Sequence, residues 1–438
     1  MPETRTTPPT TGAAVALEAR GLFKVFGRKP RDAMKRIRAG AGRQEVAPLG
    51  TAAVIDASFE VRTGEIFVVM GLSGSGKSTL IRMLNGLLEP TGGEVVVAGT
   101  PITDIPPKRL RAVRQKSISM VFQHFALMPH RSVLDNVGYG LEVQGVPAAE
   151  RRARATTVLE LVGLAGWGDK LPGELSGGMR QRVGLGRALA ADTDILLMDE
   201  AFSALDPLIR REMQEQLLEL QAQLGKTIVF ITHDLNEAMF LGDRIAVMRD
   251  GRIVQLGTPE EILTDPANDY VERFVQDVDR ARVLTAASVM DPARAVVSAS
   301  AGPRAASRTM RDLQTSAAFV VGPGRRLLGV VRDRGVMRLV TAGTSELRDA
   351  VDTDVATVLA TDPISELVEP SIESDLPLAV VDHEGRLVGV VPRVTLLAAL
   401  GNVPSTTGEI PAVEPPATIP VDDVTRALVA TGTMGDAR

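Results

Sequence analysis

The sequence predicts an α/β fold with a mostly parallel central sheet, followed by a pair of small α+β modules. Short apolar runs at Ile66–Met70, 195–198, 227–231 and 245–248 alternate with segments of helical periodicity. Uninterrupted apolar runs are typical of parallel strands that are buried on both faces. After Ala281 an internal repeat is visible, because 319–331 aligns without gaps onto 379–391 at an offset of 60 residues. Each copy predicts strand, turn, strand and helix.

Composition limits the class of protein. The chain has 438 residues, a net charge of −5, 44% apolar and 24% charged residues, and no cysteine. This length exceeds one domain core, and the slightly acidic balance argues against nucleic acid as the main partner. Disulfides and thiolate metal sites are excluded. No apolar run approaches the roughly 20 residues that span a bilayer, so we expect any membrane-crossing segment to belong to another chain.

The first 65 residues contain two predicted strands and a basic insert. Residues 1–14 are rich in Pro and Thr and are expected to form a disordered tail. Strands are predicted over 17–26 and 53–61, and the insert 28–47 between them contains a cationic helix at 30–38. That helix could contact lipid headgroups or a partner, or the insert could be a solvated surface excursion.

A Gly-rich loop follows the first buried strand. The residues from Gly71 to Ser78 read Gly-Leu-Ser-Gly-Ser-Gly-Lys-Ser, and a helix is predicted over 79–88. In this context glycines allow backbone N–H groups to surround a phosphate, and the helix N-terminus adds positive potential. Lys77 is expected to bind the β- and γ-phosphates, and Ser78 to bind Mg²⁺. The alternative, a plain Gly-rich turn, requires a chance match to all fixed positions.

Two carboxylates follow the apolar run at 195–198. Asp199 and Glu200 are expected at the sheet edge where the phosphates lie. Asp199 is expected to hold Mg²⁺ mainly through water, and Glu200 to act as general base for attack of water on the γ-phosphorus. An isolated Asp-Glu pair at a strand end is more often a helix cap, but the preceding loop favours the catalytic interpretation.

Three further residues are candidates because of their positions. Gln123 is an uncharged group able to reach Mg²⁺ or the attacking water, although Gln is also common on surfaces. His233 follows the apolar run at 227–231, where an imidazole could hydrogen-bond a γ-phosphate or be purely structural. Phe26 could stack on adenine or belong to the core.

The segment 175–181, Leu-Ser-Gly-Gly-Met-Arg-Gln, lies about a hundred residues after the phosphate loop. With the preceding motifs, it resembles the nucleotide-binding subunit of ATP-binding cassette (ABC) transporters over about residues 15–280. The resemblance implies a P-loop NTPase fold, with a RecA-like parallel core, an antiparallel β subdomain and a helical subdomain inserted at about 125–190. It also implies that ATP is sandwiched between two copies, so that Ser176 to Gly178 contact the partner's γ-phosphate.

The resemblance assigns roles residue by residue. The catalytic residues it implies are Glu200, His233, Gln123 and Lys77. The residues implied to bind ATP are Phe26, Gly71, Ser73, Gly74, Ser75, Gly76, Lys77, Ser78, Thr79, Gln123, Ser176, Gly177, Gly178, Asp206 and His233. The implied Mg²⁺ ligands are Ser78, Gln123 and Asp199.

Three stretches resemble one subfamily more closely. The insert after Phe26, the segment 122–130 and the segment 199–210 are similar to the glycine betaine/proline betaine importers. This resemblance implies membrane-spanning permease subunits, a solute-binding receptor, no nucleic-acid partner and a peripheral location on the cytoplasmic face of the cell membrane. Another compatible solute, such as choline, carnitine or proline, and a soluble non-transport ATPase remain alternatives.

The repeated modules, 281–340 and 341–400, resemble paired CBS (cystathionine-β-synthase) domains, and 401–438 is expected to be an acidic, Pro/Thr-rich tail. Nucleotide-binding CBS domains usually place Ser or Thr after the second strand and Asp three residues later. Here those positions hold Arg332 and Gly335, and Pro392 and Thr395. The copies carry about +7 and −8. The signal that these modules sense could therefore be ionic strength or a cyclic dinucleotide. Alternatively, the opposite charges could simply hold the two modules together.

Overall fold

The computed structural model describes residues 14–401, except 124, 125, 204 and 277. The chain divides into two compact units between Val283 and Leu284. The tails predicted at both ends lie outside the described residues, apart from Ala14 and Gly401. Within the described ranges, no helix combines the length and the apolar character needed to cross a membrane.

The first unit contains two sheets. Its strands are β1 (Val15–Phe26), β2 (Thr51–Arg62), β3 (Ile66–Met70), β4 (Gly92–Val97), β5 (Thr100–Pro101), β6 (Ile118–Val121), β7 (Ile195–Asp199), β8 (Thr227–Thr232), β9 (Arg244–Arg249) and β10 (Arg252–Gly257). Its helices are α1 (Pro30–Arg38), α2 (Lys77–Leu84), α3 (Pro107–Ser117), α4 (Val133–Val137), α5 (Tyr139–Val143), α6 (Ala148–Leu161), α7 (Gly177–Ala190), α8 (Pro207–Leu224), α9 (Leu235–Leu241), α10 (Pro259–Thr264), α11 (Asp269–Phe274) and α12 (Arg280–Val283).

The larger sheet confirms the predicted parallel core. Its strand order is β10-β9-β3-β8-β7-β6, and only the edge strand β10 runs antiparallel to its neighbour. Met70 pairs with Thr232, and Asp199 with Ile231. Because neighbouring parallel strands end at the same edge, the loops that follow β3, β6, β7 and β8 lie side by side. This edge carries most of the predicted site residues.

The smaller sheet is antiparallel, in the order β2-β1-β4-β5, and faces the parallel one. Phe59 of β2 stacks on Phe67 of β3, with ring centroids 4.9 Å apart and an interplanar angle of 5°. A buried cluster shared by both sheets surrounds this pair and includes Leu17, Leu80 and Val229. The two sheets and α2 therefore share one core.

The basic insert forms the predicted helix α1. Its apolar residues Ala33 and Ile37 are buried and pack in one cluster with Phe23 and Val25 of β1. The cationic residues of α1 are exposed, and Arg38 also covers the Phe23 ring, with its guanidinium carbon 4.9 Å from the ring centroid. The helix is thus integrated into the β subdomain through its apolar face, and only its charged face is open to solvent.

The inserted helical subdomain begins later than its predicted start near residue 125. Its first helix, α4, begins at Val133, after an irregular segment. The side chain of Asn136 holds this segment: Oδ1 accepts from the Met128 N–H at 2.8 Å, and Nδ2 donates to the carbonyls of Met128, Arg131 and Ser132. A buried amide that satisfies several backbone groups in this way favours a loop over a helical turn.

Helix α2 also differs from its prediction at 79–88. It begins two residues earlier, at Lys77, and ends at Leu84, with Gly86 in the left-handed region at φ +66°. The prediction ran past the true end of α2 because Leu87 and Leu88, which lie in the following turn, continue the apolar spacing of the helix.

The second unit contains the two repeated copies. Its strands are β11 (Val296–Ser298), β12 (Ala317–Val321), β13 (Leu327–Arg332), β14 (Val351–Asp352), β15 (Thr357–Leu359), β16 (Leu378–Val381) and β17 (Leu387–Val391). Its helices are α13 (Ala286–Val289), α14 (Pro303–Asp312), α15 (Asp333–Ala342), α16 (Val368–Glu373) and α17 (Arg393–Leu400).

The predicted strand, turn, strand and helix is confirmed in both copies, as β12-β13-α15 and β16-β17-α17. Two short strands that the sequence did not predict, β11 and β15, pair in parallel with β12 and β16. Arg326 and Arg386, equivalent residues of the repeat, form a β-bridge to each other. Phe319 and Val321 pack against Ala379 and Leu387. The copies therefore face each other with approximate two-fold symmetry.

Candidate functional site

The loop between β3 and α2, residues 71–78, is called the phosphate loop below. A Cβ atom on Gly71, at φ +152°, would lie 2.2 Å from the Met248 carbonyl oxygen. A Cβ atom on Gly76, at φ +108°, would lie 2.2 Å from the Ala53 carbonyl oxygen. These contacts require glycine at both positions. Gly74 has φ +78° and open space around it, and Ser73 beside it is exposed.

Lys77 lies inside this loop. Its Nζ donates to the carbonyl oxygens of Gly71 at 2.7 Å and Leu72 at 3.1 Å. Burial lowers the pKa of Lys77, while the carboxylates of Glu200 and Asp199 act in the opposite direction. The ammonium is therefore held by neutral oxygens, and phosphate oxygens would be stronger acceptors.

Ser75 provides an unpaired hydroxyl in the same loop. The residue is buried, and its Oγ has no hydrogen-bond partner in the part of the chain that the structure describes. An unpaired buried hydroxyl is costly, and the oxygen of a bound anion would satisfy it. Thr79 lies half-buried in the first turn of α2, beyond Lys77 and Ser78.

Ser78 and Asp199 meet beside the loop. Ser78 Oγ donates to Asp199 Oδ1 at 3.0 Å, and Arg82 approaches Asp199 Oδ2 to 4.0 Å. Asp199 is only 3% exposed. Burial raises the pKa of Asp199, whereas the hydrogen bond from Ser78 and the charge of Arg82 lower it. A cation placed here would relieve the cost of the buried carboxylate.

The described residues contain no group of three or more His, Cys, Asp or Glu side chains suited to hold a metal. The donor set at Ser78 and Asp199 is a hydroxyl and one carboxylate. This composition fits Mg²⁺, which usually takes one or two carboxylates together with substrate phosphates and water.

Glu200 is the centre of a second group, the Glu200 cluster, formed with Gln123 and His233. Gln123 Nε2 donates to Glu200 Oε2 at 3.1 Å, and His233 Nδ1 lies 3.4 Å from the same oxygen. The Glu200 side chain is 17% exposed and that of His233 is 54% exposed. Gln123 follows β6, Glu200 follows β7 and His233 follows β8, so the parallel sheet brings them together.

The backbone of Glu200 is strained. Its φ of +45° lies in the left-handed region, which is uncommon for residues other than glycine. Its N–H donates to the Ile231 carbonyl at 3.0 Å, and its own carbonyl accepts from Ser203 N–H and Ser203 Oγ. These bonds hold the turn and fix the direction of the carboxylate.

The predicted residues Ser176, Gly177, Gly178 and Asp206 form a separate group. Ser176 Oγ caps α7 by accepting from Met179 N–H, and Asp206 Oδ1 caps α8 by accepting from Ile209 N–H. A Cβ atom on Gly178 would lie 3.0 Å from Ile209 Cγ2, whereas Gly177 has open space around it. Within the described part of the chain, no hydrogen bond or ion pair joins these residues to the phosphate loop or the Glu200 cluster.

Phe26 lies at the end of β1 and is 45% exposed, so it is not a core aromatic. Lys24 Nζ lies 5.3 Å from its ring centroid. An exposed aromatic ring of this kind has a free face for stacking.

Sequence reasoning missed two contacts near the site. Arg210, one helical turn after Asp206, binds the residue that follows His233. Tyr270 of α11 lies against the phosphate loop, where it makes a hydrogen bond with the Leu72 backbone. Burial raises the pKa of Tyr270, and this hydrogen bond acts in the opposite direction. Asp234 and Leu72 lie 24 or more positions from Arg210 and Tyr270, so no local sequence pattern marks either contact.

Comparisons with known proteins agree with this geometry. The family model for the ABC transporter matches residues 54–203, and the model for the CBS domain matches residues 347–402.

Three curated relatives match along most of their length. The glycine betaine transport ATP-binding protein OpuAA of Bacillus subtilis (strain 168) is 49% identical over 388 residues, which is 88% of this chain and 92% of that protein. The glycine betaine/carnitine transport ATP-binding protein GbuA of Listeria monocytogenes serotype 1/2a (strain 10403S) is 50% identical, covering 86% and 96%. The glycine betaine/proline betaine transport system ATP-binding protein ProV of Escherichia coli (strain K12) is 46% identical, covering 88% and 98%.

Proposed function

This chain belongs to the ATP-binding subunits of ABC transporters, in the glycine betaine group, and we propose on that premise that it drives import of a quaternary amine. The proposed cargo is glycine betaine, proline betaine or a closely related osmoprotectant, which crosses the membrane through other subunits. The observation that carries the proposed chemistry is the Glu200 cluster beside the phosphate loop.

ATP binding is assigned to the phosphate loop. Lys77 would exchange the carbonyl oxygens of Gly71 and Leu72 for β- and γ-phosphate oxygens, and Ser75 would gain a partner for its unpaired hydroxyl. The N-terminus of α2 adds positive potential at the same point. Phe26 would stack on the adenine.

Ser78, Asp199 and Gln123 would hold Mg²⁺, which when bound neutralises phosphate charge during phosphoryl transfer. Glu200 would accept the proton of the attacking water, because its side chain is only partly exposed and its Oε2 already accepts a hydrogen bond from Gln123. His233 would hydrogen-bond the γ-phosphate, and Gln123 would orient the water.

A second copy of the chain is the proposed partner in ATP binding. Ser176, Gly177 and Asp206 are exposed, and among the described residues no hydrogen bond or ion pair joins them to the phosphate loop of their own chain. We assign them to the partner's nucleotide, so that two ATP molecules would lie between two copies. A peripheral position on the cytoplasmic face of the membrane, a permease and a solute-binding receptor complete the proposed system.

The test is uptake in cells that lack this subunit but retain its membrane partners. Wild-type chain should restore uptake of radiolabelled glycine betaine after a rise in external osmolarity, and Glu200→Gln should not. Choline, carnitine and proline, measured in parallel, would reveal another compatible solute as the cargo. Wild-type chain that restores uptake of none of these solutes would contradict the transport proposal and favour a soluble ATPase.

We also propose that the second unit, which begins at Leu284 and contains the copies predicted at 281–340 and 341–400, regulates this activity. Among its described residues, the ion pairs within 4 Å are those of Arg386 with Asp382 and Glu384, which all belong to one copy. Direct ion pairs between the +7 and −8 copies therefore do not explain the charge split. Charges that remain exposed are screened by salt, which favours ionic strength as the input.

A cyclic dinucleotide is the alternative input. A cavity of about 440 Å³ between the copies is lined partly by Phe319, Val330 and Pro392. Hydrolysis by the full chain with its membrane partners should change steeply with salt if ionic strength is the signal. A response to cyclic dinucleotide at constant salt, with no salt response, would replace this proposal by ligand sensing.

A further inference from the structure

We propose that Arg210 is a positioning residue that mechanically links Leu205, just before α8, to the loop carrying His233. The proposal deepens the function proposed above, because it supplies a path from the subunit interface to the hydrolytic site. It rests on the contacts of one guanidinium group at the start of α8.

The guanidinium group binds both loops at once. One terminal nitrogen of Arg210 donates to the Leu205 carbonyl oxygen at 3.0 Å, in the loop that precedes α8. The other terminal nitrogen donates to Asp234 Oδ2 at 3.3 Å, in the residue directly after His233. The planar fork of arginine suits such a two-sided contact, whereas the single ammonium of lysine does not.

A buried carboxylate stabilises the same group. Glu237 is 4% exposed, and its Oε1 lies 3.8 Å from Arg210 Nε and accepts from Gln214 Nε2 at 3.0 Å. Its other oxygen accepts from Thr232 Oγ1. The position and orientation of Arg210 are therefore set by two carboxylates and a backbone carbonyl.

His233 is bracketed by this network. Thr232 precedes it and binds Glu237, while Asp234 follows it and binds Arg210. Thr232 Oγ1 also accepts from the Asp234 N–H at 2.9 Å, and Asp234 Oδ1 caps α9. A displacement of Arg210 would thus move the backbone on both sides of His233.

The other end of the network reaches the group around Ser176. Asp206 follows Leu205, and Ile209 packs at Gly178. If a second copy contacts Asp206 when ATP binds, Arg210 would transmit that contact through Leu205 to Asp234 and His233. A cavity of about 380 Å³ borders Arg210, Asp234 and Glu237, and it gives these side chains room to shift. Hydrolysis would then depend on correct docking of the partner, not on ATP binding alone.

The test compares two neighbouring arginines on α8. Arg210→Lys keeps the charge and removes the fork. Arg211→Lys is the matched control, because Arg211 pairs with Glu215 and lies 4.6 Å from the Phe240 ring, outside the network. We expect Arg210→Lys to lower kcat for ATP by about tenfold or more with KM within about threefold, since misplaced catalytic groups affect the transition state more than binding. Arg211→Lys should remain within about twofold of wild type.

A second variant separates positioning from folding. Asp234→Asn retains a side chain able to cap α9 but weakens the bond to Arg210. Asp234→Asn should lower kcat in the same way as Arg210→Lys. The double variant should have a kcat no lower than that of the poorer single variant, because both substitutions remove the same contact.

The proposal is overturned if Arg210→Lys keeps the wild-type kcat, or if Arg211→Lys loses as much kcat as Arg210→Lys does. It is also overturned if the losses of kcat in Arg210→Lys and Asp234→Asn multiply in the double variant. Absence of ATP hydrolysis in the wild-type chain would instead count against the proposed function.

Discussion

At the residue scale, the proposed chemistry converges on one atom, Glu200 Oε2. Gln123 and His233 both approach this oxygen, and the strained backbone of Glu200 aims it at the edge of the sheet. A carboxylate held in this way is oriented before the water arrives, which lowers the cost of reaching the transition state.

Replacing Glu200 by Gln tests this assignment. The amide keeps the size of the side chain but cannot accept a proton, so steady-state hydrolysis should fall by about 100-fold or more. ATP affinity should stay within about threefold of wild type, because Lys77 and the phosphate loop are unchanged. Hydrolysis and equilibrium binding are the two measurements, and Glu219→Gln, on the exposed side of α8, is the control. Near-normal turnover in Glu200→Gln would show that another group is the base.

The buried ammonium of Lys77 predicts a pH dependence. Its pKa lies below the usual 10.5 because burial disfavours the charged form. Only the charged form attracts phosphate, so ATP affinity should be constant near neutral pH and fall as pH rises through this lowered pKa. Measurements of equilibrium ATP binding from pH 7 upward test this fall in affinity. Lys77→Arg remains charged in this range and should abolish the fall. Affinity that stays constant up to pH 10.5 in the wild-type chain would contradict the prediction.

Residues within continuous motifs were predictable from sequence, whereas their tertiary partners were not. The phosphate loop is local, and its glycines are explained by contacts that any such loop makes with neighbouring strands. Asp199 and Glu200 were placed correctly at the sheet edge because a strand end fixes them. The Arg210 side chain contacts Asp234, 24 positions away, and Tyr270 contacts the Leu72 backbone, which is farther still in sequence. The spacing of residues along the chain does not predict such contacts.

At the element scale, α1 shows how a charged insert can be part of the fold. Its buried face is small, with Ala33 and Ile37 packed against β1, and its charged face is free for another role. The helix was predicted from the sequence, but whether its apolar face is covered depends on the sheet beneath it.

Ile37→Ala tests this integration. Removing a buried Ile side chain should destabilise the first unit by about 2–4 kcal/mol, because it leaves a cavity between α1 and the sheet. Lys35→Ala, on the exposed face of the same helix, should change stability by less than about 0.5 kcal/mol. Urea unfolding of the full chain, followed through its first transition, gives both values. Equal stability of the two variants would mean that α1 is only loosely attached.

Element boundaries were less predictable than element types. The period of apolar residues extended α2 past its true end, and the start predicted for the helical subdomain, near residue 125, precedes its first helix at Val133. At the end of α2, Gly86 adopts a left-handed backbone conformation, and before α4 the Asn136 side-chain amide binds backbone groups of the preceding loop. The strands β11 and β15 were missed because three residues are too few for a periodic signal.

At the scale of the whole molecule, the chain carries two separate halves of a site. The phosphate loop and the Glu200 cluster lie together at one sheet edge, and the groups at Ser176 and Asp206 lie together elsewhere in the same unit. We infer that each half is completed by a second copy, which makes nucleotide-dependent pairing of chains the central claim.

The absence of cysteine from the sequence makes this claim directly measurable. One chain would carry Ser73→Cys and another Ser176→Cys, both at exposed positions and both with Glu200→Gln to prevent turnover. The two chains would be mixed and treated with a short thiol cross-linker, with and without ATP and Mg²⁺. The account predicts a cross-linked pair that contains one chain of each kind and forms only with ATP. A mixture that binds ATP but cross-links no more with nucleotide than without it would contradict the account.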